Sequence, residues 1–472
     1  MSEKLNSAIC VIGGGPAGAA VARRLSQLGH SVVVVEKRLF PRAHIGESLS
    51  PGVLPLLDTL GIKERIEHQG FLRPERVLLY WPPLRGYKSL GPLPGFQVDR
   101  ARFDAIMLEA AGEAGALVLQ GAQILKSERN AGGGWDLTIS WEGKLLSVER
   151  CLVIDASGRR SLMGGKKRRY GSRTLALWNY WRGCAIGGDE TRVEAGADQW
   201  YWGAPLPDGS LNATVFVDYE RFQQDLRQLG STEKVYAHLL AQSELLAACR
   251  QGHPTGPAMV CDATSYTDDD PVATDLIKIG EALFSVDPLS SQGVQAALGT
   301  ALHAAAVVNT LLRRPEDQAL AERFYVERQR ESVAFHSSTA GHLYAQVAVQ
   351  QESAFWKQRA GMEQKPIPGN GIPQPAPLCR DIQLRLAAEA CLLAIPCMEE
   401  GFIVHRQAVI HPGLSRPIVF LDNVALAPLV ECLKIVHTVD EILDTWSRRI
   451  PWEQGMKILD WLWNRGLIVA AQ

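Results

Sequence analysis

The sequence predicts an α/β fold: a nucleotide-binding parallel sheet, a β-sheet domain inserted into it, and a small, mostly helical domain at the C-terminus. Three observations carry this. A strand–glycine turn–helix–strand unit opens the chain, tryptophan-rich strand patterns fill its middle, and a stretch rich in proline and glycine precedes a last block with helical periodicity. The 472 residues are 46% apolar and 21% charged, ordinary for a soluble chain of two or three domains. The net charge is −2 and no basic block stands out, which argues against a nucleic-acid partner. The start, MSEKLNS, lacks the layout of a secretory signal. No run approaches the roughly 18 apolar residues that span a bilayer, so no membrane partner is expected. The nine cysteines are scattered without a Cys-x-x-Cys pair, so neither a metal site nor a disulfide framework is suggested. Buried thiols in the cytoplasm are the expectation.

Residues 8–12, AICVI, read as a short buried strand. Gly13, Gly15 and Gly18 follow as G-x-G-x-x-G. Helical periodicity runs over 16–28 through Ala17, Val21, Ala22, Leu25 and Leu28, and Gly29 sits where a helix ends. SVVVVE is a second strand closing on Glu36. Each feature has a use in a Rossmann-like dinucleotide site. The glycines let the backbone approach a pyrophosphate, and the helix start, which carries Ala17, offers its dipole to the phosphates. Glu36 accepts hydrogen bonds from ribose hydroxyls. Lys37 and Arg38 follow it and are expected beside the cofactor.

Two later stretches refine this. CLVIDASGRRS (151–161) is a strand running into a small-residue turn with Asp155 and Gly158. Residues 275–308 read as strand, loop and alanine-rich helix, and carry Gly280-Glu281, Asp287-Pro288 and Gly293-Val294. With the first motif, these resemble the FAD-binding pattern of para-hydroxybenzoate hydroxylase-type flavoproteins. The resemblance implies FAD as cofactor. It places Glu281 where that family has an aspartate on the ribityl chain, and Asp287-Pro288 along the isoalloxazine. It aims the helix beginning at Gly293-Val294 at the flavin, where a helix N-terminus stabilises the negative charge of the reduced ring. Asp155 and Gly158 are implied as further cofactor contacts. No second G-x-G-x-x-G is found; AGGG at 131–134 reads as a hairpin turn. Electrons are therefore expected from NAD(P)H at the same site or from a separate flavin reductase.

The stretch FPRAHIGESLSPG, with QVDRARFDAIMLEAA at 97–111, resembles the branch containing flavin-dependent halogenases, geranylgeranyl reductases and related monooxygenases. This implies Glu47 and Ser48 beside the flavin, as catalytic candidates together with Pro288, and leaves His44 as the acid/base candidate. Arg100 is either a cofactor contact or half of an i,i+4 ion pair with Asp104. Halogenases of that branch pass hypohalous acid through a lysine. Residues 71–83, roughly where it should lie, hold Arg73 and Arg76 but no lysine; Lys88 follows in an apparent loop. Tryptophan-type halogenases also carry Trp-x-Trp-x-Ile-Pro, and here Trp200-Tyr201-Trp202-Gly203-Ala204-Pro205 has alanine for the isoleucine. Aromatic hydroxylation by a C4a-hydroperoxyflavin needs no lysine, only a dry pocket. Trp178, Tyr180, Trp181, Trp200, Tyr201 and Trp202 either wall that pocket or form sheet core, and core is expected for any single one.

The expected domains are residues 1–170 with 255–345 for FAD, 171–254 for a substrate sheet, 365–379 as linker, and 380–472 as a C-terminal unit. In that unit Thr438-Val439-Asp440-Glu441 forms a capping box, and Val439, Ile442, Leu443 and Trp446 form an apolar face. A helix with Met456, Leu459, Leu462 and Trp463 follows, then a strand, which gives a winged-helix-like pattern. Thr438–Ile442 and Leu462–Ile468 resemble the peptide-recognition domains similar to the chaperone of pyrroloquinoline quinone biosynthesis, which bind a leader peptide as an added strand. With the flavoprotein pattern, the chain resembles the flavin monooxygenases that hydroxylate a tryptophan of a small quinoprotein subunit during cysteine tryptophylquinone biogenesis. This implies a precursor polypeptide as partner, the quinoprotein small subunit, alone or with its maturation enzyme. A halogenase or hydroxylase of a small aromatic metabolite and a non-catalytic flavoprotein chaperone are the alternatives.

Overall fold

The buried strands Ile9–Ile12 and Val32–Glu36 pair in parallel, with Val11 opposite Val34. The helix Pro16–Gln27 crosses between them, as the apolar spacing of Ala17, Val21, Ala22 and Leu25 requires. Leu117–Gln120 extends the sheet on one side; Lys144–Asp155 and Leu276–Lys278 extend it on the other, all in parallel register. The structure, a computed structural model, describes residues 3–184, 190–361, 378–379 and 382–471. It divides into two units, Met1–Gln318 with Tyr325–Gln364, and Ala319–Phe324 with Lys365–Gln472.

Within the first unit a second, mostly antiparallel sheet is built from Thr174–Arg182, Leu211–Asp218, Gln199–Pro205 and Thr191–Ala195. It continues into Arg76–Trp81 and Leu84–Ser89, so the substrate sheet is not confined to 171–254: a hairpin from the first third of the chain closes its edge. Its strands alternate, as a sheet buried on both faces must. Leu175, Leu177, Tyr201 and Val215 face one side, under helices Tyr219–Leu229 and Thr232–Leu240. Ala176, Trp200, Phe216 and Val193 face the other, against Leu289, Ala340 and Tyr344 of the flavin-domain side.

Two further expectations change. The cations of 166–169 do form a local basic run, exposed on the strand Lys167–Arg169. That strand pairs with Tyr266–Asp268, and Arg168 bonds Asp269, so acids offset the run. The helix Gly293–Arg313 is long and apolar enough to cross a membrane by length and composition. Most of it is instead buried, packed along Pro16–Gln27 through its alanines.

The second unit has its own core of Leu384, Leu429, Leu433, Ile442, Trp446, Leu459 and Leu462. Helices Val439–Ser447 and Trp452–Asn464 lie beside a three-stranded sheet in which Gln383–Leu386 is flanked by His437–Thr438 and Ile468–Ala470. A long hairpin, Cys391–Glu399 with Phe402–Ile410, precedes them. The capping box forms: Glu441 N–H donates to Thr438 Oγ1 and Thr438 N–H to Glu441 Oε2. The expected linker lies outside the described residues except for 378–379.

Candidate active site

The glycine turn is built for close approach. Gly13 has φ +107°, and a Cβ at Gly18 would sit 1.9 Å from the Gly13 carbonyl oxygen, so neither position tolerates a side chain. Gly15 is the N-cap of Pro16–Gln27; no side chain caps that helix and its first turn holds no acid. Its free N–H groups and dipole therefore face the space beside Gly15, where among the described residues the near neighbour of a Cβ would be Arg42 Nη2 at 3.3 Å. Arg42 was not singled out from the sequence, although it lies in the FPRAHIGES stretch. Glu36 is buried and accepts from Gly14 N–H and Arg38 N–H, both at 2.7 Å, so it is pinned at the strand end with lone pairs to spare. Lys37 and Arg38 are exposed beside it. Ala17 is buried; a Cβ on Gly280 (φ +56°) would lie 2.9 Å from the Ala17 Cβ, so the late Gly280–Ala282 turn packs directly on the phosphate-side helix. An uncapped helix start, a side-chain-free cradle, an arginine and a terminal acid together fit FAD.

The flavin end fits as well. Gly280, Glu281, Phe284, Ser285, Val286, Gly293, Ala296 and Ala297 line one pocket. The helix Gly293–Arg313 enters it without a side-chain cap, and Gln292, just before it, bonds His336 Nδ1 at 2.7 Å. Burial lowers the His336 pKa to about 4, so this histidine is neutral at pH 7. Glu281 is half-exposed and lies 3.5 Å from Arg159 Nε. Pro288 begins a short turn capped by Asp287, whose Oδ1 accepts from Leu289 N–H at 3.0 Å. Val294 is buried on the helix behind the turn.

Asp155 has a different part from the one expected. It is fully buried, and its oxygens accept from Ser157 N–H (3.0 Å), Ser157 Oγ (2.6 Å), Ser161 Oγ (3.2 Å) and Met163 N–H (2.9 Å). Both oxygens are spent on shaping the loop that carries Gly158 (φ +74°), and a short polar side chain at a strand end commonly does this.

The Gly-Glu-Ser segment docks on the second sheet. Glu47 Oε1 accepts from Tyr180 Oη at 2.6 Å and Asn212 Nδ2 at 3.1 Å. Ser48 Oγ donates to Gln97 Oε1 at 2.8 Å, and Gln97 Nε2 donates to Thr191 Oγ1 at 2.5 Å. Tyr180 pairs with Asn212, and Asn212 with Ala204, so these residues stand in one transverse row of the sheet. Arg100 forms the i,i+4 ion pair the sequence allowed and also ties down the Gly-Glu-Ser segment. It pairs with Asp104 at 2.9 Å, and its Nη1 holds the carbonyls of Ile45 (2.8 Å) and Gly46 (3.2 Å). His44 is exposed overall, and its Nδ1 donates to Ile45 O at 2.7 Å. Loss of solvent around the ring, then the Arg100 charge, lower its pKa and leave it neutral at pH 7.

The aromatic residues divide. Trp200 is core, stacked on Phe216 at 3.8 Å, and Tyr201 is buried on the opposite face. Trp178, Tyr180 and Trp202 remain partly open on the flavin-facing side, with Trp178 edge-on to Tyr180 at 5.4 Å. Arg73 bonds Glu67 and covers the Phe96 ring; Arg76 covers Tyr87 and lies 3.8 Å from Glu190. Lys88 is on the strand Leu84–Ser89, not in a loop, opposite Val77. It stands five strands from Tyr180 in the sheet, about 24 Å at ordinary strand spacing.

The tryptophan halogenase family model matches residues 88–370 and an FAD-binding domain model matches 6–164. The chain belongs to the tryptophan halogenase family. FAD is its cofactor. The tryptophan 2-halogenase of Chondromyces crocatus is 32% identical over 368 residues, 74% of this family member and 69% of that protein. CmlS, a flavin-dependent halogenase, shares the fold at TM-score 0.78 and 20% identity, over 100% of this chain and 96% of its own. QhpG, a peptidyl tryptophan dihydroxylase essential for tryptophylquinone cofactor biogenesis, has TM-score 0.72 and 25% identity, over 98% of this chain and 100% of its own. These likenesses fit the halogenase alternative better than the expected tryptophan hydroxylation, which one structural neighbour supports.

Proposed function

We propose that this halogenase-family flavoenzyme inserts oxygen into an aromatic side chain, tryptophan first, presented on a polypeptide. The observation that carries this is the set of cations at the expected lysine position. Arg73 and Arg76 are held by Glu67, Phe96, Tyr87 and Glu190, and a guanidinium stays protonated where a halogen-carrying amine must not. Lys88 is exposed at the far edge of the sheet. The likeness to a peptidyl tryptophan dihydroxylase over nearly the whole chain supports a peptide substrate, a quinoprotein precursor above all. FAD, when bound, supplies the oxidising chemistry, fed by NAD(P)H or a flavin reductase. The chain's own residues cradle the pyrophosphate at Gly13–Gly18, fix the Gly-Glu-Ser segment through Arg100, and offer Trp178, Tyr180 and Trp202 as a face for the substrate ring. The second unit takes the part of peptide capture by strand addition.

Halogenation is the second reading, favoured by the 32%-identical tryptophan 2-halogenase and by the family model. The test gives the enzyme reduced flavin, dioxygen and bromide with candidate precursor peptides and free tryptophan. Oxygenated peptide supports the proposal; brominated product supports the second reading and overturns the first.

A further inference from the structure

We propose that Tyr180 relays to Glu47 the proton that the aromatic ring gives up during the reaction. This rests on the reading of the protein as an aromatic-substituting enzyme, and holds for oxygen or halogen alike. Each replaces one ring hydrogen and releases one proton.

Tyr180 is the member of its sheet row that substrate can reach. Asn212 is 2% exposed and Ala204 0%, whereas Tyr180 is only partly buried and stands beside the partly open Trp178. Glu47, bonded to it, is only 5% exposed, so little of the carboxylate is open to substrate directly. The tyrosine hydroxyl donates to Glu47 Oε1 at 2.6 Å with the Asn212 side chain also beside its oxygen, and a phenol oxygen with two lone pairs keeps one to accept from the substrate side. The carboxylate is held from three directions: Asn212 Nδ2 at 3.1 Å, Gly46 N–H at 3.0 Å on Oε2, and Tyr180 itself. Thr214 Oγ1 donates to Asn212 Oδ1 at 2.7 Å and so fixes that amide's orientation. The edge of Trp178 fixes the tyrosine ring. Burial, then the Glu47 charge, push the Tyr180 pKa up. The phenol therefore does not ionise by itself and works only as a through-relay.

The step balances. A carbon–oxygen or carbon–halogen bond forms at the ring, with dioxygen and reduced flavin, plus halide in the second case, supplying the oxidising equivalents. The ring carbon–hydrogen bond then breaks, its electron pair restoring aromaticity. That proton reaches Tyr180 Oη as the hydroxyl's own proton moves to Glu47 Oε1, and Glu47 releases it when product leaves.

The test compares the full-length native protein with Tyr180→Phe and Glu47→Gln. The probes are ring-deuterated and ordinary tryptophan, free and within a peptide. Tyr180→Phe removes one oxygen and keeps the ring packing, so flavin content and KM should stay within about threefold. The rate of product formation should fall by about 100-fold or more, the usual scale for a lost acid/base group. A primary deuterium isotope effect, absent in the native protein, should appear, because ring-proton loss becomes slow. Glu47→Gln should show the same isotope effect. A Tyr180→Phe rate near native, or a fall with no isotope effect, overturns the relay alone. Native protein that converts none of the probes overturns the reading on which the relay rests.

Discussion

Tyr344 donates its buried hydroxyl to both carboxylate oxygens of Asp287, at 3.0 and 3.1 Å. Burial nevertheless raises the Asp287 pKa above the ordinary carboxylate range, against the Leu289 N–H, the Arg359 charge and the Tyr344 bond. The sign follows from linkage. A carboxyl with a raised folded pKa contributes stability that is fully present below its unfolded value, about 3.9, and lost as pH rises through the folded value. Asp287→Asn has no charge to bury. Its melting temperature should therefore rise relative to the native protein between pH 4 and pH 8. A constant difference across that range would contradict the assignment.

Gly15 and Gly18 should fail differently. Gly18→Ala drives a Cβ into the Gly13 carbonyl and should prevent stable folding of the glycine turn. Gly15 has an ordinary φ of −67°, and a Cβ there would meet just the flexible end of the Arg42 side chain, so Gly15→Val should fold and fill the phosphate cradle instead. Calorimetry with FAD should show a folded Gly15→Val protein with affinity weakened by about 100-fold or more. Full flavin content in purified Gly15→Val would contradict the cofactor placement.

Asp155→Ala removes the acceptor shared by Ser157, Ser161 and Met163 at the strand end that carries the loop. A loss of about 2–4 kcal/mol in urea unfolding is expected, since buried donors lose their partner. A change below about 0.5 kcal/mol would show that the loop keeps its shape without the carboxylate.

In the C-terminal unit, Trp446 is buried with its indole N–H on the Leu429 carbonyl at 3.0 Å. Trp446→Ala should cost about 3–5 kcal/mol. Thr438→Ala, which breaks only the capping box, should cost about 1 kcal/mol. Chemical denaturation of the full chain followed by tryptophan fluorescence separates the two. Equal effects would contradict the packing described.

The glycine motif was legible because its chemistry is local. Gly13, Gly15, Gly18 and Glu36 are joined by a single βαβ unit, so spacing alone places them. Glu47 was also singled out and Tyr180 was named as a wall-or-core aromatic, but their pairing was not read and Asn212 was missed. Tyr180 and Asn212 lie 133 and 165 residues away, and only sheet register brings them together. Asp155 was read as a ligand because sequence cannot tell a carboxylate that faces a cofactor from one that bonds its own loop. The pairing of Arg76–Trp81 with Thr191–Ala195 was not legible either, because strand pairing between segments more than 100 residues apart leaves no local signal. Arg42 left a trace, an arginine between the two motifs, that a search for phosphate-side cations would have found.

The most direct test is the intact mass of a tryptophan-bearing precursor peptide after incubation with the full-length protein, reduced FAD, dioxygen and excess bromide. Oxygen insertion predicts a peptide heavier by one or more oxygen atoms, localised by fragmentation to tryptophan, and no bromine isotope doublet. A brominated peptide or brominated tryptophan would contradict that account and establish halogenation in its place.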